Sequence, residues 1–280
     1  MSVNYEDIKL VSGSTWGFEI EGGYDENKNE MENDLRRLGI ESDWDSSVEV
    51  FERYVEDAEI KVDGYWEEKE CVKNIENLVN YLMDTTWTSN ESCGIHVHVG
   101  NDYNLKNLIK LHRFIGRIEE IIWNGILPES RRCQSTYCKK IGSPTNPFNI
   151  FINSLSPKDI DEIKGNECIY RNMRRSMRGK TLKEYGLNID SVFYKGTVEF
   201  RYFDSDYKRL IAFIDFVDKI VNKIETEDTR TLDNLADEVN HMIGIERKVN
   251  RLCKWLGVAD VCIEKLMCHI EKPMKLKSVA

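Results

Sequence analysis

The chain has 280 residues, of which 41% are hydrophobic and 31% charged, and its formal net charge is -10. This length can bury most of the unfolded chain's surface as one large domain or two small ones. The acidic balance argues against a surface devoted to nucleic acid or to anionic lipid. No apolar run reaches the roughly 20 residues that cross a bilayer, and the amino terminus lacks a signal pattern. We therefore expect a cytoplasmic protein without membrane contacts.

The eight cysteines show no regular framework, which predicts reduced thiols rather than disulfides. Two groups of residues are alternatives as zinc ligands, although their spacings are loose: Cys133 with Cys138, and Cys262 and Cys268 with His269.

The first predicted strand, residues 16–21, alternates between acidic and apolar side chains. Glu19 and Glu21 share one face, and Phe18 and Ile20 share the other. Two carboxylates on one strand face lie about 6 to 7 Å apart and repel by roughly 2 to 3 kcal/mol at an effective dielectric near 20. A divalent cation is a simple counter-charge, because carboxylate oxygens suit Mg²⁺ or Mn²⁺. The alternative is a solvated strand face.

An acidic stretch follows a polar, helix-prone segment at residues 22–40. Alternation at residues 48–55 and 58–62 predicts two neighbouring antiparallel strands. This stretch carries four glutamates: Glu49, Glu52, Glu56 and Glu59. An amphipathic helix is predicted at residues 71–83.

The strand at residues 94–100 repeats the alternation with a different ligand type. His96 and His98 share a face, and the intervening residues are apolar. A neutral imidazole suits Mn²⁺, whereas a lone histidine in a strand is more often a core residue. Asn104 then caps a long amphipathic helix that ends near Pro128, and residues 128–150 read as a long loop.

A basic segment lies between a short helix that begins at Ser156-Pro157 and the third polar strand. It carries Arg171, Arg174, Arg175, Arg178 and Lys180. Three interpretations stay open: a solvated helix face, a clamp for phosphates or an anionic substrate, and a nucleic-acid contact. Its position one loop before the third strand favours the clamp.

In the third strand, residues 197–203, Glu199 and Arg201 project from the same face. A guanidinium beside a metal ligand suggests phosphate, because its planar fork matches phosphate oxygens. A same-strand ion pair is the alternative. Three helices are predicted beyond it, at residues 206–225, 230–242 and 246–270. Strands do not alternate regularly with helices, so the predicted class is α+β, an antiparallel sheet with helices on one side.

Four strings in order resemble the motifs of the amidoligases, carboxylate-amine ligases related to glutamine synthetase and glutamate-cysteine ligase. They are WGFEIE, DSSV followed by AEIKV, NESCGIHVHVG, and GTVEFRYFDSD, and they span residues 16 to about 206. The resemblance implies a curved antiparallel sheet of the glutamine synthetase catalytic-domain type, in a catalytic domain at 1–205. The helical pattern of the remaining residues, which the resemblance does not cover, predicts a helical part at 206–280 packed on the same domain. It also implies ATP and two or three Mg²⁺ or Mn²⁺ ions.

The resemblance also implies a role for each matched residue. Glu21 and Glu59, with Glu49 as a further candidate, would bind the metal near the carboxylate substrate. The acidic stretch also offers Glu52 and Glu56, so the choice among its four glutamates stays open. Glu19, His96 and Glu199 would bind the metal at the ATP phosphates. His98 and Arg201 would contact the phosphates, and Arg201 would stabilise the transferring group. Asp45 would help to hold the amine, and Asn188 matches a family asparagine near the substrate.

The predicted function is therefore ATP-dependent amide formation through an acyl phosphate. The substrates would be small-molecule or peptide carboxylates and amines, whose identity the sequence does not specify. A metal- or nucleotide-binding module without turnover, and a metal-dependent hydrolase, are the alternatives.

Overall fold

The computed structural model describes residues 5–24, 28–43, 56–62, 66–90, 92–128, 138–142, 146, 155–161, 185–189 and 191–270. Its strands are β1 (Thr15–Tyr24), β2 (Glu41–Asp43), β3 (Glu56–Lys61), β4 (Gly94–Gly100), β5 (Leu187–Asn188) and β6 (Thr197–Asp204). Its helices are α1 (Lys28–Arg37), α2 (Glu68–Met83), α3 (Leu105–Gly125), α4 (Pro157–Asp161), α5 (Val192–Lys195), α6 (Leu210–Thr226), α7 (Thr229–His241), α8 (Ile245–Leu256) and α9 (Asp260–Leu266).

The strands form one sheet in the order β2-β3-β1-β4-β6-β5. Neighbouring strands pair antiparallel throughout that order. The three strands with alternating polar residues, β1, β4 and β6, lie side by side at its centre. The expected α+β class with an antiparallel sheet is confirmed, whereas the glutamine synthetase type of sheet stays a prediction.

Helices cover the apolar face of the sheet. Phe18, Val97 and Phe200 are almost completely buried on that face. α2 packs against β1, and α6 packs against β4 and α3. α3 begins where the sequence predicts, because the Asn104 side chain accepts a hydrogen bond from the backbone N–H of Asn107. The ionisable residues therefore occupy the opposite face.

The carboxyl-terminal helices extend the core that α3 and α6 begin. α7 and α8 pack on α3, and α9 packs on α6. The single helix predicted at residues 246–270 is wrong, because α8 ends at Leu256. Gly257 adopts φ 90° and its N–H bonds to the Cys253 carbonyl, a left-handed helix end that favours glycine. The domain boundary between residues 205 and 206 stays a prediction.

In the described part of the chain, no helix is long and apolar enough to span a membrane. The six cysteines described there are free thiols, and Cys268 is the exposed one among them.

The residue that precedes edge strand β5 approaches the middle of β6 closely. The Gly186 carbonyl accepts a hydrogen bond from the Arg201 N–H at 2.8 Å. A Cβ atom at Gly186 would lie 2.1 Å from the ring of Tyr202. That ring cannot move aside easily, because the Tyr202 hydroxyl donates to buried Glu119 at 2.7 Å. Glycine is thus required beside the strand that carries Arg201.

We expect Gly186→Ala to lower the free energy of unfolding by about 1 to 3 kcal/mol through overpacking against Tyr202. Gly116→Ala on α3 is the matched control, because its Cβ would meet only an ordinary contact at 3.9 Å. The control should be stabilised by roughly 0.5 to 1 kcal/mol, since alanine favours a helix interior over glycine. Urea denaturation measures both changes. Equal effects at the two positions would contradict the close approach.

Candidate functional site

Strand register brings the predicted ligands together across the centre of the sheet. Glu19 of β1 pairs with His96 of β4, and His98 of β4 pairs with Glu199 of β6. On the other side of β1, Glu21 pairs with Glu59 of β3. Residues that lie up to 180 positions apart in the sequence therefore meet on one face.

These groups are nearly excluded from solvent. His96, His98, Glu59 and Glu199 are each no more than 6% exposed, and Glu21 is 7% exposed. Burying several carboxylates is unfavourable unless positive groups or a metal lie beside them. The solvated-face alternative is therefore wrong for Glu21, and the Glu19 side chain is only 16% exposed.

Glu19 lies at the centre of the cluster. Its Oε2 is 2.9 Å from His96 Nδ1, and its Oε1 is 3.2 Å from His98 Nε2. Among the described residues, ligand atoms of Glu19, His98 and Glu199 lie within 4.8 Å of one another, as do those of Glu19, Glu59 and His96. Glu19 belongs to both groups, so two cations bound here would share it.

The two groups fit a small divalent cation. Ligands on opposite sides of Mg²⁺ lie about 4.2 Å apart, because metal–oxygen distances are near 2.1 Å. The ligand atoms of each group lie within 4.8 Å of one another, so small side-chain movements would bring them to coordination distance of one ion. Among the described residues, no group hydrogen-bonds to the buried His98 Nε2, although Glu19 Oε1 lies 3.2 Å away. A metal ion bound by this nitrogen and by the carboxylate would satisfy both groups. Mixed carboxylate and imidazole donors suit Mn²⁺, and Mg²⁺ accepts the carboxylates.

Glu21 contributes at the next position along β1. Its Oε2 accepts a hydrogen bond from the Gly94 N–H at 2.7 Å, and its Oε1 lies 3.5 Å from His96 Nε2. His96 Nδ1 is also 3.6 Å from Glu199 Oε1. The predicted metal set of Glu19, His96 and Glu199 is thus adjacent in the structure. Which ligands bind which ion stays a prediction.

Arg201 lies beside the cluster at an irregularity of the β4–β6 ladder. The register shifts between Ile95 and Val97, so β6 carries an extra residue opposite His96. Such bulges redirect side chains and are frequent next to active sites. The Arg201 guanidinium pairs with Glu199 through Nη1, whereas its buried Nε has no hydrogen-bond partner among the residues that the structure describes. Part of the guanidinium therefore has hydrogen-bonding capacity left for a ligand.

Residues 2–221 match the model of a family described as "Putative amidoligase enzyme". That match covers well over half of the chain. The chain belongs to this family. A comparison with curated proteins gave no match. The family match reaches beyond residue 206, where the motif resemblance ends, and includes most of α6. Membership supports an enzyme of the ligase type.

The electrostatics of this amidoligase-family site are set by burial and by the two histidines. Burial raises the pKa of Glu19, but the hydrogen bond with His96 and the charges of His96 and His98 hold it well below its ordinary value. Burial likewise raises the pKa of Glu199, and His96 with Arg201 outweighs it, so the net change is downward. The pKa of His96 is raised, because the charges of nearby carboxylates, Glu21 first, exceed the effect of burial. Glu19 and Glu199 therefore stay ionised and available to a cation.

Glu59 differs, because burial and the charge of Glu19 raise its pKa to about 7. In the unfolded chain the same carboxyl loses its proton near pH 4.5. Between these values the folded metal-free protein holds more protons, so its free energy of unfolding should fall as pH rises from about 4.5 to 7.

Thermal unfolding from pH 5 to 8, with and without Mn²⁺, measures this dependence on pH. Glu59→Gln should flatten the metal-free profile over that range, and Mn²⁺ should flatten the wild-type profile, because a bound cation takes the place of the proton. An identical metal-free slope in wild type and Glu59→Gln would contradict the assignment to Glu59.

Three polar residues complete the site, and the sequence analysis gave them little or no weight. Lys61 pairs with Glu59, and the two-residue alternation of β3 could have placed it there. Asn188 donates to Glu199 Oε2 at 2.7 Å. Lys195 Nζ lies 3.4 Å from Glu19 Oε1, although it stands in a helical turn where no periodicity marks it.

Several predicted site residues lie outside the described residues. They are Asp45, Glu49, Glu52, Arg171, Arg174, Arg175 and Arg178. The strand predicted at residues 48–55 also lies outside them. The side chain of Glu56 is not described either. Their roles stay predictions.

Proposed function

We propose that this chain is an ATP-dependent carboxylate-amine ligase that uses Mg²⁺ or Mn²⁺. The observation that supports the proposal best is the pair of overlapping ligand groups that share Glu19, with Arg201 beside them on Glu199. Family membership supports the ligase class. Phosphoryl transfer needs in-line positioning and positive charge more than covalent catalysis, and here Arg201 and the bound cations would supply the positive charge.

In the proposed reaction a substrate carboxylate oxygen attacks the γ-phosphorus of ATP, and ADP leaves. The amine nitrogen then attacks the acyl carbon, phosphate leaves, and the nitrogen gives up a proton. Bound divalent cations would supply charge neutralisation for the phosphates. The carboxylates of Glu19, Glu21, Glu59 and Glu199, with His96, would hold these cations. His98 is the remaining candidate, either as a ligand or as a phosphate contact.

Arg201 would contact the transferring phosphoryl group. Its fork is held on one side by Glu199, so the guanidinium is orientated before substrate binds. Asn188 donates to the other oxygen of Glu199, which leaves the carboxylate little freedom to rotate. A prepositioned cation stabilises developing negative charge without reorganising during the reaction.

The basic segment would form a clamp over the phosphates. The chain between Asp161 and Tyr185 contains Arg171 to Arg178. Gly186, next to Tyr185, bonds to the backbone of Arg201. The segment therefore ends beside the site, and a loop rooted there could bring arginines to an anionic substrate and exclude water.

The experiment is a screen of paired acids and amines for release of ADP and phosphate, with Mg²⁺ or Mn²⁺ present. We expect release only when both substrates are supplied, together with one new amide per ADP. Binding of Mn²⁺ and an ATP analogue without turnover on any pair would favour the binding module. Hydrolysis without ATP would favour the metal-dependent hydrolase. Either result would contradict the proposed ligase.

A further inference from the structure

An open pocket adjoins the ligand cluster where β1 begins and β4 ends. Its volume is about 400 Å³, which is within the usual range of small-molecule sites. Thr15 pairs with Gly100, and Gly100 pairs with Thr197, so the ends of three central strands meet here. Thr15, Gly100 and Lys195 are among the described residues that line it.

The pocket and the ligand cluster lie on the same face of β1. Thr15, Gly17 and Glu19 follow one another on the same face of the strand. Gly17 has no side chain, and it pairs with His98. On this strand, therefore, no side chain separates the pocket from Glu19.

Lys195 lines the pocket and also contacts the ligand cluster. It is the last residue of α5, and Gly196 then ends the helix with φ 73°. Its Nζ lies 3.4 Å from Glu19 Oε1, and its side chain is 57% exposed. An exposed lysine keeps most of its rotamer freedom, and ion pairs of exposed side chains stabilise little. Its ammonium can thus turn from Glu19 into the pocket at small cost.

A metal ion bound by Glu19 would weaken the ion pair between Lys195 and Glu19. Glu19 is common to both candidate ligand groups. A divalent cation on its carboxylate would repel an ammonium that contacts the same oxygen. Metal loading would therefore release Lys195, and the pocket that Lys195 lines is the adjacent open space. An ammonium beside a nucleotide site is suited to phosphate oxygens.

We propose that Lys195 is a phosphate-contacting residue that pairs with Glu19 in the metal-free protein and turns into the pocket when a divalent cation binds. The inference rests on the proposed function and adds to it a residue and a place for the substrate phosphates. It predicts that loss of the Lys195 ammonium strengthens the binding of Mn²⁺ and weakens the binding of an ATP analogue. A purely structural role would not produce opposite signs.

The test compares Lys195→Met with Lys254→Met, an exposed lysine on α8 in the helical part. Mn²⁺ titration of the metal-free protein, followed by electron paramagnetic resonance, should show tighter binding to Lys195→Met by roughly threefold, the scale of an exposed ion pair. With saturating Mn²⁺, calorimetry should show a non-hydrolysable ATP analogue bound about tenfold more weakly, the scale of a charge-assisted hydrogen bond. Lys254→Met and Lys195→Arg should match wild type in both.

Inorganic phosphate is the second probe. If Lys195→Met weakens the binding of inorganic phosphate but not that of the ATP analogue, the phosphate contact of Lys195 stands, and its ligand is free phosphate rather than the nucleotide. Unchanged binding of all three probes, or weaker binding of Mn²⁺ together with the analogue, would overturn the inference. If wild type binds neither Mn²⁺ nor the analogue, the proposed function fails, and the inference fails with it. Normal wild-type binding without any effect at Lys195 overturns the inference alone.

Discussion

Glu19→Gln is expected to abolish Mn²⁺ binding and amide formation together. Both candidate ligand groups contain Glu19, and glutamine keeps its size while removing the charge. Loss of an outer-shell partner alone typically lowers metal affinity 10- to 100-fold, so loss of a shared direct ligand should exceed roughly 100-fold. Calorimetry with Mn²⁺ and the ADP-release assay measure the two effects.

Glu264→Gln on α9 is the matched control, because this exposed glutamate lies outside the two ligand groups. It should leave Mn²⁺ affinity and activity unchanged. Circular dichroism tests whether Glu19→Gln remains folded. A folded Glu19→Gln protein with wild-type Mn²⁺ affinity would show that the cluster does not bind metal through Glu19.

Arg201→Ala should lower kcat about 100- to 1,000-fold, the scale of losing one preorganised contact to developing negative charge. Mn²⁺ affinity should change little, because Arg201 is not a metal ligand. The substitution also removes the guanidinium from buried Glu199, and an uncompensated buried charge can destabilise a protein by about 3 kcal/mol. A fold defect must therefore be separated from a catalytic one.

Arg201→Lys makes that separation. It keeps a positive charge near Glu199 and should retain the fold, but it loses the planar fork that matches phosphate. We expect most of the loss in kcat to persist in Arg201→Lys, with normal thermal unfolding. Arg251→Ala is the control, since Arg251 pairs with Glu238 on the surface. Full activity of Arg201→Lys would limit Arg201 to a structural ion pair.

The sequence was most informative where a two-residue period marks both faces of a strand. Glu19 with Glu21, His96 with His98, and Glu199 with Arg201 are predicted to share faces, and the structure places the three pairs on adjacent strands. Alternation works here because side chains in a strand point to opposite faces whatever its neighbours are. The cap at Asn104 is equally local, and it is confirmed.

Local sequence patterns gave no correct prediction where the structure depends on contacts between two elements or on a special backbone conformation. The split between α8 and α9 depends on one glycine, which the helical periodicity on either side concealed. The short strands β2 and β5 were not predicted, because two or three residues carry no recognisable period. Their pairing with β3 and β6 stabilises them instead.

The sequence by itself determined which chemical groups each central strand presents, because alternation is a property of a single extended segment. Only the tertiary structure decided which of these groups meet. Register pairs Glu21 with Glu59 among the acidic candidates, a bulge lies beside Arg201, and a helical turn brings Lys195 to Glu19. Those contacts arise from hydrogen bonds and packing between distant segments, which no local pattern encodes.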